Sequence, residues 1–235
     1  MIFNNLLSNI DAGEVLDVGC GSGQFTEILT ESLKSFRTIT GVDVDEESLA
    51  EAGTKFSDDN FRFLKAESQE LPFEEESFDM VAISKALHHM EDPVASLAEM
   101  RRVLKTGGYF LINEMHRDQL TDAHESHMLY HHLRSEIDNL SGISHNKTFY
   151  RKDLIMLSDK LGLAERTILE FSPDSSRAMD TDNIAEFIAK MDGWIQALKG
   201  HPESRRIEER AEELKERFRK FGISRPPQLL IMGSK

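Results

Sequence analysis

The chain holds one cysteine, Cys20, in 235 residues, so no disulfide can close within it. It has no apolar run of about 18 residues, which removes a transmembrane helix from the expected elements. Met1–Ile10 lacks the basic region and long apolar core of a signal peptide, and the cytoplasm is the expected compartment. Basic charge is also in deficit. Lys and Arg number 28 against 42 Asp and Glu, a formal net charge of −14. Such a surface repels nucleic-acid backbones and anionic lipid, so neither nucleic acid nor membrane is an expected partner. Internal repeats and low-complexity tracts are missing as well. The remaining composition, 39% hydrophobic and 30% charged, is that of an ordinary globular protein. The length fits a single α/β domain over residues 1–235 with added segments.

The most informative stretch is Glu14–Gly23, Glu-Val-Leu-Asp-Val-Gly-Cys-Gly-Ser-Gly. Val15, Leu16 and Val18 have the length and composition of a buried parallel strand. Gly19, Gly21 and Gly23 follow at once, and Phe25, Ile28 and Leu29 begin a helical pattern. Strand, glycine turn and helix let a backbone approach a nucleotide-sized ligand. The spacing is G-x-G-x-G rather than the G-x-G-x-x-G of dinucleotide sites. Asp17 sits inside the strand, and Asp43 ends the next one, where an acidic side chain accepts from ribose hydroxyls. Two carboxylates make the crevice acidic, which suits a cofactor with a cationic centre better than a pyrophosphate. Cys20, inside the loop, reads as a small residue filling tight space.

Further strands are expected at 37–42, 60–65, 78–84, 109–113 and 164–171, with helices between them at 23–34, 46–55, 93–102 and 151–160, and a last strand at 228–232. This alternation predicts a doubly wound, mostly parallel sheet. Ligands then sit beyond the strand carboxyl ends, where Asp17, Asp43, Glu67 and Ser84 fall. Residues 115–149 break the rhythm with a histidine-rich helical insertion over the active site. Residues 172–224 hold two more helices, a lid or a dimer surface. In the first of them Ile184, Phe187, Ile188, Met191, Ile195 and Leu198 recur at helical spacing, with Thr181 or Asp182 as its cap. In the second, Glu213–Arg217 and Glu216–Lys220 have the spacing of ion pairs.

Val15–Gly23, Gly41-Val42-Asp43, Leu71-Pro72-Phe73 with Ser77-Phe78-Asp79, His88–Pro93 and Leu104–Gly108 together resemble the motifs of the class I S-adenosylmethionine-dependent methyltransferases. The likeness runs in order over about residues 10–115 and fixes cofactor and fold better than substrate. It implies a seven-stranded Rossmann-like sheet whose last strand is antiparallel, with S-adenosylmethionine as cofactor and a small-molecule acceptor. The implied cofactor contacts are Asp17, Gly19, Cys20, Gly21, Gly23, Asp43, Val44, Glu67, Ser68 and Ser84. Asp17 would meet the amino group and Asp43 the ribose. Glu67 stands where the family usually has aspartate facing the adenine amino group. His88 and His89 sit where some members place a general base, and His131 is a third candidate from the insertion. Two alternatives stay open: a non-catalytic S-adenosylmethionine-binding regulator, and a methyltransferase acting on a protein.

Six of the nine histidines fall in the insertion: His116, His124, His127, His131, His132 and His145. His124, His127 and His131 share a helix face, and His127 and His131 have the i,i+4 spacing that commonly holds a metal. His132, His145, Glu125 or Glu114 would complete such a site, so the candidate ligands for a divalent metal such as zinc are His127, His131, His132 and His145. A substrate-facing polar wall and plain packing are the competing readings. No H-E-x-x-H motif is present.

Overall fold

The computed structural model describes residues 2–235. In chain order the elements are α1 (Ile2–Leu7), β1 (Glu14–Val18), α2 (Gln24–Ser32), β2 (Thr38–Asp43), α3 (Glu46–Lys55), β3 (Phe61–Lys65), β4 (Phe78–Ser84), α4 (Pro93–Val103), β5 (Leu104–Met115), α5 (Asp122–Leu140), α6 (Arg151–Asp159), β6 (Ala164–Phe171), α7 (Thr181–Ala197), α8 (Ser204–Phe221) and β7 (Gln228–Ser234). Seven strands form one sheet in the order β3-β2-β1-β4-β5-β7-β6. β1 pairs in parallel with both β2 and β4, so the order reverses beside β1. That reversal opens the crevice in which doubly wound sheets bind ligands. β7 runs antiparallel to β5. Lys235, just after β7, exchanges backbone hydrogen bonds with Gly107 and Gly108, while Pro227, just before β7, accepts from the N–H of His116, just after β5.

The chain folds as two compact units. The first comprises the chain through residue 114 with 152–169 and 229–235; the second comprises 115–151 and 170–228. In the first, central strands buried on both faces supply Leu16, Ile39, Met80, Ile83 and Phe110 to the core, as a parallel sheet under helices requires. Local signals end the elements. Asp45 caps α3, accepting from the N–H of Ser48, and Asp92 caps α4 immediately before Pro93. Asp79 accepts from the N–H of Glu14 and pairs with Lys105, tying the start of β1 to β4 and β5.

The second unit is built on α5, α7 and α8. Leu133, Ile137, Met191, Ile207, Ala211 and Phe218 form its buried centre, joined by Phe187, Ile188, Trp194 and Ile195. The apolar stripe of α7 is therefore already covered within this unit. Tyr130 stacks on Trp194 at 4.7 Å between centroids. Among the described residues no helix is long and apolar enough to cross a membrane.

Three local expectations are corrected. β5 begins at Leu104, not Tyr109: Gly107 and Gly108 lie inside the strand, where the register against β4 shifts between Phe78 and Met80. Glycine doublets mark such irregularities as readily as turns. The cap of α7 is Asp180, whose carboxylate accepts from the N–H groups of Asp182 and Asn183, not the expected Thr181 or Asp182. On α8, Arg217 reaches across to Glu125 of α5, and Glu216 pairs with Arg219.

Candidate functional site

Gly19, Gly21 and Gly23 all adopt positive φ, at 69°, 50° and 82°. Their reasons differ. A Cβ on Gly19 would lie 2.5 Å from that of Ala86, and one on Gly23 would lie 2.7 Å from the ring of Phe56. At Gly21 a Cβ would meet nothing within 4 Å. Two of the glycines thus make room for the protein itself, and Gly21 alone leaves its outer side open. The loop is pinned from below by the carbonyl of Val42, which accepts from the N–H groups of Gly19 and Cys20 at 2.8 and 3.1 Å.

Asp17 is fully buried. Its Oδ2 accepts from the hydroxyl of Thr26 at 2.7 Å, and its Oδ1 has no hydrogen-bond partner among the described residues. Burial, with Asp43 nearby, pushes its carboxyl up to about 7. A buried acceptor with an open lone pair is what a cationic or N–H-bearing group of a ligand would satisfy. Asp43 holds the loop from the other side. Its Oδ2 accepts from the N–H of Gly21 at 2.8 Å and its Oδ1 from the N–H of Asp45 at 3.0 Å. Val44, next in line, is 51% exposed, an apolar surface at the rim beside the acid. These features fit S-adenosylmethionine: an unmatched carboxylate oxygen, an open glycine backbone and an exposed apolar shelf.

The remaining predicted contacts are less uniform. Cys20 is buried, its Sγ lies 2.8 Å from where a Cβ on Gly41 would sit, and burial followed by Asp17 and Asp43 raises its thiol well above the usual range. It is space-filling and protonated. Glu67 is exposed, while the hydroxyl of Ser68 is shared with that of Ser96 at 2.8 Å. Ser84 closes β4 and accepts from the Asn113 side chain at 2.9 Å. Lys85 then takes a left-handed backbone, φ 52°, a strained turn of the kind that clusters at sites.

A short 3-10 turn, Leu87–His89, follows. Here the structure supplies a residue that sequence reasoning had considered only as a metal ligand. Glu114, at the end of β5 and fully buried, accepts from the N–H of Leu87 at 3.1 Å through Oε2 and meets His88 Nδ1 at 3.0 Å through Oε1. When Nδ1 donates to Glu114, Nε2 carries the lone pair. That is the orienter-and-base arrangement. His89 is exposed, with its ring 4.3 Å from that of His88.

In the helical unit the histidines separate into different tasks. His124 forms a reciprocal cap with Thr121 at the start of α5, and burial lowers its pKa. His116 is likewise lowered by burial and accepts from the N–H of Asp118. The ring of His127 packs edge-on to Phe187 at 5.7 Å. His132 Nε2 meets the Thr148 hydroxyl at 2.9 Å, and burial, then Arg117, Lys147, Arg210 and His145, press its pKa down to about 4. His131 and His145 are brought together, their Nε2 atoms 3.1 Å apart.

Comparison with known proteins agrees with this geometry. Residues 16–112 match the family described as methyltransferase domain. Demethylmenaquinone methyltransferase of Staphylococcus aureus (strain MRSA252) is 35% identical over 118 residues, 50% of this chain and 49% of that protein. The chain thus spans about half the length of the curated relatives it matches. An S-adenosylmethionine-dependent methyltransferase from Mesorhizobium loti superposes with a TM-score of 0.60 at 20% identity, covering 100% of this chain and 96% of that one. A [4+2]-cyclase superposes with a TM-score of 0.62 at 19% identity, covering 99% and 78%. The glycine loop and both acids, Asp17 and Asp43, lie within the matched residues 16–112. Residues 16–112 are thus similar to the methyltransferase-domain family, and the fold of the chain is the one these solved structures share.

Proposed function

We propose that the protein transfers a methyl group from S-adenosylmethionine to a small-molecule acceptor. The observation that carries this reading is the notch at the mouth of β1: an open Gly21 backbone between Asp43 and the unmatched Oδ1 of buried Asp17. When bound, S-adenosylmethionine supplies a sulfonium-activated methyl that an acceptor lone pair displaces in line, the thioether leaving with the bonding electrons. The chain's own part is alignment, exclusion of water and proton handling. Asp17 would hold the cationic amino end, Asp43 the ribose hydroxyls, and Val44 would offer the adenine an apolar face. Glu67 and Ser68 would contact the adenine edge. His88, oriented by Glu114, takes the proton of an oxygen, nitrogen or carbon acceptor at Nε2; His89 and His131 are the alternatives for that role.

The acceptor is not carried over by a match spanning half of each chain. Demethylmenaquinone heads the panel to be tried because the similar Staphylococcus aureus enzyme is named for it. A second reading is that the chain binds S-adenosylmethionine without transferring its methyl group: a [4+2]-cyclase shares this fold, so the fold alone does not establish methyl transfer. Calorimetry with S-adenosylmethionine and its demethylated product comes first. Label transfer from methyl-labelled donor to quinone, amine, thiol and protein acceptors follows. Saturable binding with label transfer supports the enzyme; binding with no transfer to any acceptor supports the second reading. A folded chain that binds neither adenosyl compound removes both.

A further inference from the structure

We propose that His131 and His145 form a binding site for a divalent transition metal ion of the zinc class, built wholly within the helical unit. The site stands whether or not the chain transfers methyl groups. α5 sets His131, Ser135, Asp138 and Asn139 at i, i+4, i+7 and i+8, one face of a helix. The segment after α5 folds back onto that face, with the N–H of Ile143 bonded to the carbonyl of Asp138 at 2.9 Å. His145 is then clamped at every polar group of its backbone. Its carbonyl accepts from the Ser135 hydroxyl at 2.5 Å and the Asn139 amide at 2.7 Å, and its N–H donates to Asn139 Oδ1 at 3.3 Å.

The ring is fixed as firmly. Nδ1 of His145 meets Asp138 Oδ2 at 2.7 Å, and the other carboxylate oxygen is held by Arg134 at 2.7 Å. A carboxylate on Nδ1 directs the Nε2 lone pair outward, an arrangement typical of zinc-bound histidine. That Nε2 faces His131 Nε2 at 3.1 Å, with the rings at 82°. Two imidazoles on one tetrahedral ion, at about 2.0–2.1 Å each, stand roughly 3.3 Å apart. The pair is therefore near the spacing an ion needs. Both rings are buried, yet His145 also lines an open cleft of about 680 Å³ with Asn139, Asn146, Lys147 and Arg210, which gives an ion a path and room for water on its remaining positions. Two imidazole nitrogens as the protein donors favour zinc, cobalt, nickel or copper over magnesium or calcium.

The test uses the full chain, stripped with chelator and titrated with Co²⁺ followed by visible absorption, then with Zn²⁺ in competition. The expected result is saturable binding of a single ion with a ligand-field spectrum. His131→Gln and His145→Gln abolish it, Asp138→Asn weakens it on the order of 10–100-fold, and His132→Gln retains it. S-adenosylmethionine binding is measured on the same samples, so loss of the metal site is read separately from loss of the methyltransferase reading. Should a glutamine variant fail to fold, NMR of nitrogen-labelled histidine in the unaltered chain decides: zinc must shift the ring signals of His131 and His145. No saturable Co²⁺ binding by the folded chain, binding that survives both glutamine substitutions, or ring signals that zinc leaves in place overturns the proposal.

Discussion

Gly19, Gly21 and Gly23 look equivalent in the sequence, but their surroundings give them different jobs. A methyl on Gly19 would press on Ala86, and one on Gly23 on Phe56, whereas one on Gly21 would project into open space. Gly21→Ala therefore carries only the backbone cost of a left-handed alanine, about 1–2 kcal/mol. Its added methyl would stand where the notch is open to a ligand. The expected outcome is a small drop in melting temperature with at least a tenfold loss of S-adenosylmethionine affinity. Gly19→Ala adds a steric clash and loses stability more heavily. Thermal denaturation and calorimetry on the two variants separate these effects. Unchanged affinity in a folded Gly21→Ala protein would move the cofactor away from this loop. The glycine spacing and the two acids were legible because each is a short-range requirement of the backbone. The individual role of each glycine was not, because it depends on Ala86 and Phe56, which are distant in sequence.

Elements were legible where their own periodicity decides and illegible where a neighbouring element competes. The α7 stripe of Ile184, Phe187, Ile188 and Met191 is periodic enough to read, and these residues do line the core of the second unit. Of the ion pairs expected along α8, Glu213–Arg217 gave way to Glu125 on α5, within reach of Arg217, and Glu216–Lys220 to Arg219 one turn along. The histidines show the same limit. Successive helical residues point about 100° apart, so adjacent His131 and His132 turn to different partners, and His145 arrives from a loop whose return path no spacing rule records. The pairing of Glu114 with His88 was hidden for the same reason: strand register, not local sequence, joins the ends of β4 and β5. Phe218 tests the packing of the helical unit, since its ring is fully buried among α5, α7 and α8 side chains. Phe218→Ala should cost about 3–5 kcal/mol. Trp194 is the chain's one tryptophan and stacks on Tyr130 in the same core, so its emission during urea unfolding reads this unit. A midpoint that does not move would mean that this core contributes little to stability.

At the scale of the whole molecule, the acidic balance and the buried acid act together on stability. The chain carries 42 acidic against 28 basic residues, and Asp17 is the acid that folding perturbs upward. Its carboxyl sits near 7 in the folded chain, against about 3.9 unfolded. The folded state therefore holds a proton that the unfolded state gives up. Stability from this group is fully present below about pH 4 and is lost as pH rises towards 7, on the order of 4 kcal/mol in all. Asp79 and Glu99, lowered in the fold, act in the opposite sense at lower pH and shape the same curve. Asp17→Asn removes the titration while keeping the shape, so the difference between the two proteins isolates it. The variant should gain stability over the parent between about pH 4 and 7 and hold that gain above 7. Ligand binding reverses the preference. A cationic amino group beside Asp17 favours the ionised form, so binding at pH 6 releases a proton and affinity rises toward pH 8. At a hundredfold excess over Kd, ligand adds about 2.7 kcal/mol to the parent, and the asparagine variant, with no carboxylate to offer, should show a clearly smaller shift. Urea unfolding of both proteins across this range, with and without S-adenosylmethionine, reads all of these at once. Parallel pH profiles for the two proteins would show that Asp17 is ionised in the folded chain, and equal ligand shifts would show that its carboxylate does not face the cofactor.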